Sequence, residues 1–210
     1  ELPFQQATVF MGEIGQPRFT PDWFDILVFN EVFGEGGRFG SRLFQSVRSE
    51  KGLAYTIQGS VDPSIGRGIN SIVFQTKSES SAEAIIAAIE VLKKMQSEDV
   101  SLQELNEAKQ YLLNSFVFKF DTSNDIVQRK AGQELLGFPT DYDRTFLSRI
   151  KDVNIEALTR VARERWHPDL FTIVVVGDKR AYESISSLLK GPLSGYNIKR
   201  VSFEEALLEE

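Results

Sequence analysis

Apolar residues recur along the chain in two rhythms, one suited to strands and one to helices, and these divide it into elements. Gln6-Ala7-Thr8-Val9-Phe10-Met11-Gly12 is a short β-like run that ends at glycine. Between residues 22 and 33, Phe24, Ile26, Leu27, Val28, Phe29, Val32 and Phe33 crowd too densely for a one-faced element, so the segment predicts a buried helix opened by Pro21. The tract Gly34-Glu35-Gly36-Gly37-Arg38-Phe39-Gly40 breaks it. Ser41 is expected to cap a following helix with the stripe Leu43, Phe44 and Val47, which Gly52 ends through a positive φ.

Residues 53–61 and 69–77 are then two strand-like runs around the turn-rich Asp62-Pro63-Ser64-Ile65-Gly66-Arg67-Gly68, a hairpin signal. Ser80-Ser81-Ala82-Glu83 reads as a capping box before the amphipathic series Ala84, Ile85, Ile86, Ile89, Leu92 and Met95. Ser101-Leu102-Gln103-Glu104 is a second box, opening a helix through Leu105, Ala108, Leu112 and Phe116. Further helical patterns cover residues 124–136, 142–150 and 154–166, the last capped by Asn154 and stopped before Pro168. Residues 171–177 form a β-branched run that reads as a buried strand, and residues 181–189 a final amphipathic helix.

That order, strand, two helices, hairpin, several helices, strand and helix, predicts an α+β fold. The expected architecture is a two-layer sandwich, a mainly antiparallel sheet with helices packed on one face. Residues 1–190 are expected to form one domain. Residues 191–210, beginning Gly191-Pro192 and carrying Glu204, Glu205, Glu209 and Glu210, are expected to be a looser acidic extension.

Composition narrows the chemistry. The 210 residues contain no Cys and one His, His167, which excludes a disulfide framework, a thiol nucleophile, a Cys-based zinc site and any two-His metal motif within the chain. Thirty carboxylates against 24 Lys and Arg, a net charge of −6, argue against nucleic-acid binding. No apolar run approaches a membrane span. The chain starts at Glu1 rather than Met, so a processed protein or an excised piece is expected. The compartment is left open, with bacterial periplasm or cytoplasm expected ahead of the mitochondrion.

Four groups of residues invite a chemical reading. The glycine tract lacks both the spacing of a dinucleotide fingerprint and a P-loop lysine. It reads either as a helix-to-helix connection needing positive φ and close approach, or as a loop touching a ligand or partner. His167, at a helix end, is placed to favour the helix dipole. Glu104 and Glu107 share a helix face, but Glu104 already serves a capping box. Arg48, in the last turn of a short helix, and Tyr55, at the start of the next strand, are brought toward one end of that element pair by the turn at Gly52. A guanidinium and a phenol there would be donors for a carbonyl oxygen or a developing oxyanion. A surface arginine beside a half-buried strand tyrosine is also ordinary.

The run from Asn30 through Gly34-Glu35-Gly36-Gly37, Ser41-Arg42-Leu43-Phe44 and Arg48 to Gly52-Leu53-Ala54-Tyr55 closely resembles the zinc-lacking C-terminal domain of the pitrilysin/insulinase family of metallopeptidases, the group that includes mitochondrial processing peptidase. Gln6-Ala7, Pro21-Asp22, Glu104-Leu105, Ala108-Lys109, Gly137-Phe138-Pro139 and Val175-Val176-Gly177-Asp178 extend the likeness along nearly the whole chain. The resemblance implies a noncatalytic half that partners a homologous, zinc-bearing domain or subunit around a peptide substrate. It implies that Arg48 and Tyr55 bind substrate main chain and stabilise the tetrahedral intermediate, and that Gly34, Gly36 and Gly37 belong to a substrate-handling loop. No cofactor is then expected in this chain, and zinc is expected on the partner. Two alternatives stay open: a scaffolding homologue without peptidase activity, and an independent peptide-binding module. A homodimer of isolated domains is a further expectation.

Overall fold

The computed structural model describes residues 5–188, 191, 193–202 and 205. Four strands, β1 (Gln6–Ile14), β2 (Thr56–Asp62), β3 (Ile69–Lys77) and β4 (Thr172–Val176), pair in the order β2-β3-β1-β4. Every pairing is antiparallel, with Val9 opposite both Phe74 and Val175, and Ile57 opposite Phe74. The strands alternate as half-buried strands must. Ala7, Val9, Met11, Ile57, Val61, Ile72 and Phe74 point into the core, while Thr8, Phe10, Thr56, Gln58 and Gln75 occupy the other face.

Among the described residues, helices cover only the inward face. They are α1 (Trp23–Phe33), α2 (Ser81–Ser97), α3 (Leu102–Phe116), α4 (Ser123–Leu135), α5 (Tyr142–Asp152), α6 (Ile155–Arg165) and α7 (Lys179–Leu188). α1 and α2 lie directly on the sheet, and α6 packs on both. The density of apolar residues in α1 has the expected consequence: Ile26, Val28, Phe29, Val32 and Phe33 are all buried. Trp166, fully buried at the end of α6, stands edge-on to Phe33 at 5.2 Å and to Phe171 at 5.8 Å. Each such ring contributes on the order of 2–3 kcal/mol through burial. The fold is therefore the α+β sandwich that the pattern predicts, with no described helix over the other face of its sheet.

Several local expectations are corrected. Ser80 makes no side-chain cap; a 3-10 turn, Ser78–Ser80, leads into α2, and the Ser81 hydroxyl donates to the Ser78 carbonyl. Ser41 likewise donates its hydroxyl back to the Arg38 carbonyl at 2.8 Å rather than accepting from the following turn. β4 is an edge strand, with Val174 52% and Val176 59% exposed, and is not buried on both faces. His167 does not serve the end of α6: its main-chain N–H and Nδ1 both meet the Glu13 carboxylate, at 2.7 and 2.9 Å, fastening the α6–β4 connection to β1. The box at Ser101 forms as read, and α4 starts with another built from Thr122 and Asp125. Beyond residue 190, Leu193 is buried against the core and the Tyr196 phenol donates to the Pro168 carbonyl at 2.7 Å. Glu204, Glu209 and Glu210 lie outside the described residues.

Candidate functional site

The glycine tract lies along the outer edge of β2. Asn30, a polar residue buried in the apolar α1, reaches that edge first. Its Nδ2 donates to the Val61 carbonyl at 2.8 Å and its Oδ1 accepts from the Val61 N–H at 2.9 Å, so one side-chain amide does the work of a neighbouring strand. Gly34 follows, its carbonyl accepting from Gly59 N–H at 3.1 Å and from Gly37 N–H at 3.2 Å. Its φ of 175° is ordinary extended backbone. Gly34 is instead required by close approach, since an added Cβ would lie 2.6 Å from Leu43 Cδ1 and 3.0 Å from Gly59 N. Gly36 and Gly37 are different: their φ values of 62° and 64° are left-handed, where a side chain is strained.

Charged contacts anchor both ends of this loop. Arg38 forms an ion pair with Glu31 and lies 4.0 Å over the Tyr111 ring. Burial pushes the Glu31 carboxyl up, against the pull of Arg38. Glu35 is also pushed up, by burial and then by the neighbouring Glu31. Arg42 forks onto Glu104 of α3, at 2.7 and 3.1 Å. Burial alone would raise the Glu104 carboxyl, but that fork and the Ser101 cap hold it down to about 2.

Just beyond Arg42, residues Phe44–Glu50 wind as a π-helix, a wide turn frequent at functional sites. Gly52, at φ 64°, closes it with Leu53 N–H bonded to the Val47 carbonyl at 2.9 Å, and the chain reverses into β2. The consequence is the juxtaposition of Arg48 and Tyr55. The Arg48 guanidinium carbon lies 4.6 Å from the Phe44 ring centre and 5.8 Å from that of Tyr55. The Arg48 guanidinium forms no ion pair or hydrogen bond with another described residue, and none of its nitrogens is buried, so its donors face outward. Tyr55 is 66% exposed and tied down through its main chain, its N–H donating to the Gln75 carbonyl at 2.8 Å.

Arg48 also lines an open depression of about 450 Å³ with Gly36, Gly37, Phe44, Thr56 and Gln58. It is the one charged residue of that wall. The structure thus places Arg48 beside Tyr55 and in one wall with Gly36 and Gly37, while Gly34 stands behind as a spacer against β2. Sequence reasoning missed the parts played by Phe44 and Asn30. For Asn30 there was a signal, a lone amide within an apolar helix, which needs a buried partner. Phe44 read only as one member of a core stripe. The arrangement offers donors to a carbonyl or carboxylate oxygen.

No group of three or more His, Cys, Asp or Glu among the described residues could hold a metal ion. The one His in the sequence is paired to Glu13, and the described residues do not fit a zinc site. No helix among the described residues is long and apolar enough to cross a membrane.

The peptidase M16 inactive domain family matches residues 2–112. The chain is 25% identical over 149 residues to a Helicobacter pylori protein named non-peptidase homolog YmxG, covering 71% of this chain and 34% of that one. It is 27% identical over 170 residues to the Bacillus subtilis protein named uncharacterized zinc protease YmxG, covering 79% and 40% respectively. The chain thus spans well under half the length of these curated relatives. A peptidase M16 inactive domain from Pseudomonas fluorescens superposes with a TM-score of 0.76 at 26% identity, over 84% of this chain and 42% of that one. A chain of Complex III2 from Candida albicans shares the fold, with a TM-score of 0.69 at 13% identity over 87% and 45%.

Proposed function

This chain belongs to the peptidase M16 inactive domain family, and from that premise we propose that it is the metal-free half of a zinc metallopeptidase, presenting Arg48 and Tyr55 to a peptide held at a zinc site on a homologous domain or subunit. The observation that carries the reading is the outward-facing Arg48 guanidinium, packed on Phe44 and beside an exposed Tyr55, at the wall of a depression bounded by Gly36 and Gly37. A guanidinium and a neutral phenol are donors for a substrate carbonyl, worth most where charge develops on that oxygen. Gly34, Gly36 and Gly37 keep the loop close to β2 and free of side chains, so peptide can approach. Zinc would reside on the partner, and residues 1–190 would be the unit that docks to it.

The test is reconstitution with the zinc-bearing half, followed by cleavage of an unstructured peptide. Tyr55→Phe and Arg48→Ala should each lower kcat by about 100-fold, the usual loss of an oxyanion donor. Turnover equal to wild type in both variants would remove the proposal.

A second reading has one observation in its favour, the non-peptidase name of the Helicobacter pylori relative. In it the chain keeps the fold and scaffolds an assembly. It predicts a stable complex with the homologous partner and no cleavage by that complex. As an independent peptide-binding module, or a homodimer, the isolated chain would bind peptide or sediment as two copies without any partner.

A further inference from the structure

Of the residues of β2 turned to its outer edge, Val61 has both main-chain groups bonded, Gly59 has its N–H bonded, and Ile57 has neither. In an antiparallel pair a residue turns its N–H and C=O to the same side, and successive residues alternate. Gly59 N–H turns away from β3 to meet Gly34, and Val61 turns both groups away from β3 to meet Asn30. Ile57 has the same parity, so its main-chain groups also face away from β3. No hydrogen bond from another described loop or side chain reaches them.

The Ile57 carbonyl faces Gly37, where an added Cβ would come to 3.2 Å from its oxygen. Ile57, Gly37 and Arg48 line the same depression. A main-chain group turned off the ladder needs a partner from water or a ligand. Here the missing side chain of Gly37 is what leaves room for one. The Ile57 side chain itself is 2% exposed and takes no part.

We infer that Ile57 is a main-chain docking point for an extended peptide: its carbonyl accepts a peptide N–H and its N–H donates to the carbonyl of the same peptide residue, as in strand addition. A second full pair cannot form further along the edge, because the Gly59 N–H and both main-chain groups of Val61 already have their partners. A single residue pair therefore sets the register of the peptide, and sets it beside Arg48. The inference rests on the reading of this chain as a peptide-handling half, but it concerns binding and needs no zinc.

Ile57-Gln58 is the only Ile-Gln pair in the sequence, so carbonyl-¹³C isoleucine with ¹⁵N glutamine gives one resonance reporting on this carbonyl. The probe is an end-blocked octapeptide of alanine and threonine with one central phenylalanine, and its fully N-methylated counterpart as control. The unmodified peptide should shift the Ile57 carbonyl resonance downfield and saturably, and the methylated one should not. Gly36→Ala and Gly37→Ala carry similar left-handed strain, at φ 62° and 64°, yet only the second approaches the Ile57 oxygen. Affinity should fall by about tenfold more in Gly37→Ala than in Gly36→Ala, the cost of one main-chain hydrogen bond.

An unmoved resonance, an equal response to the methylated peptide, or equal losses in the two glycine variants would each overturn the inference. Arg48→Ala separates it from the reading it rests on. If the peptide shift is seen while Arg48→Ala cleaves normally after reconstitution, the Arg/Tyr role fails alone. If the shift is absent while Arg48→Ala abolishes cleavage, the docking point fails alone.

Discussion

The side-chain amide of Asn30 and the main chain of Val61 exchange two hydrogen bonds, at 2.8 and 2.9 Å, in the manner of paired strands. The pair is buried, so removing the amide strands two main-chain groups as well as a packing contact. Asn30→Ala should cost roughly 2–4 kcal/mol, the penalty of leaving a buried donor and acceptor unmet. Asn30→Asp keeps an acceptor but buries a carboxylate near Glu31 and Glu35, two groups already pushed up by burial. Urea denaturation should find the Asp variant weaker at pH 7 than at pH 4, where the new carboxyl is neutral. Equal stability of the wild type and Asn30→Ala would show that β2 needs no edge partner.

Gly34 and Gly52 are glycines for opposite reasons, and alanine at each position separates them. Gly52 has a φ of 64° and nothing within 4 Å of an added Cβ, so Gly52→Ala should cost about 1 kcal/mol of backbone strain and no more. Gly34 has no φ strain to incur, but its Cβ would press on Leu43 and on Gly59 N. Gly34→Ala should cost roughly 1–3 kcal/mol as an overpacked contact. It should also speed hydrogen exchange at the Gly59 amide, which Gly52→Ala leaves protected.

Glu104 gives the fold a defined acid sensitivity. Its carboxyl is held at about 2 in the folded chain against an ordinary 4.5, with Arg42 and Ser101 as the cause. A depressed carboxylate stabilises above its unfolded pKa, and that stability is lost as pH falls through the folded value. The window is therefore pH 4.5 down to 2. The shift corresponds to about 3 kcal/mol at face value and roughly 1–2 kcal/mol after solvent screening, since the group is partly exposed. Glu104→Gln should remove the Glu104 share of the stability change across that window and leave the shares of Asp22 and Asp143, which Arg165 and Arg129 also hold low against burial; an acid-stability profile identical to wild type would remove the assignment.

The same residues show what the sequence could and could not convey. The box at Ser101 was legible because all its parts lie within four residues. Ser80 carried the same letters, yet the 3-10 turn at Ser78–Ser80 fixed another geometry. The box at Thr122 was overlooked because Asp125 stands where Glu or Gln is usual. The proximity of Arg48 and Tyr55 could be read because one turn at Gly52 joins them. Long-range pairs could not: His167 meets Glu13 across 154 positions, and nothing local announces it. The apolar run of β4 told that both faces are hydrophobic, but not that its outer face, with Val174 and Val176, is exposed, with no described helix over it.

Phe44 is the support on which Arg48 rests, and its role can be separated from its part in the core. The ring is 6% exposed, has the Arg48 guanidinium carbon 4.6 Å from its centre, and meets the edge of the exposed Phe39 at 4.8 Å. Phe44→Leu keeps an apolar side chain of similar bulk, so stability should fall by only about 1 kcal/mol. It removes the aromatic face, and a guanidinium without that face samples more rotamers and presents its donors less often. Cleavage by the reconstituted enzyme should then drop by about tenfold in kcat/KM, as for a loss near 1.4 kcal/mol, while Phe44→Tyr keeps near wild-type values. The deciding measurement is the double variant. If Phe44 acts through Arg48, Phe44→Leu made in an Arg48→Ala background should add almost nothing, because the group it positions is already gone. Full additivity of the two losses would mean that Phe44 matters to the fold alone, and that Arg48 holds its orientation by other means.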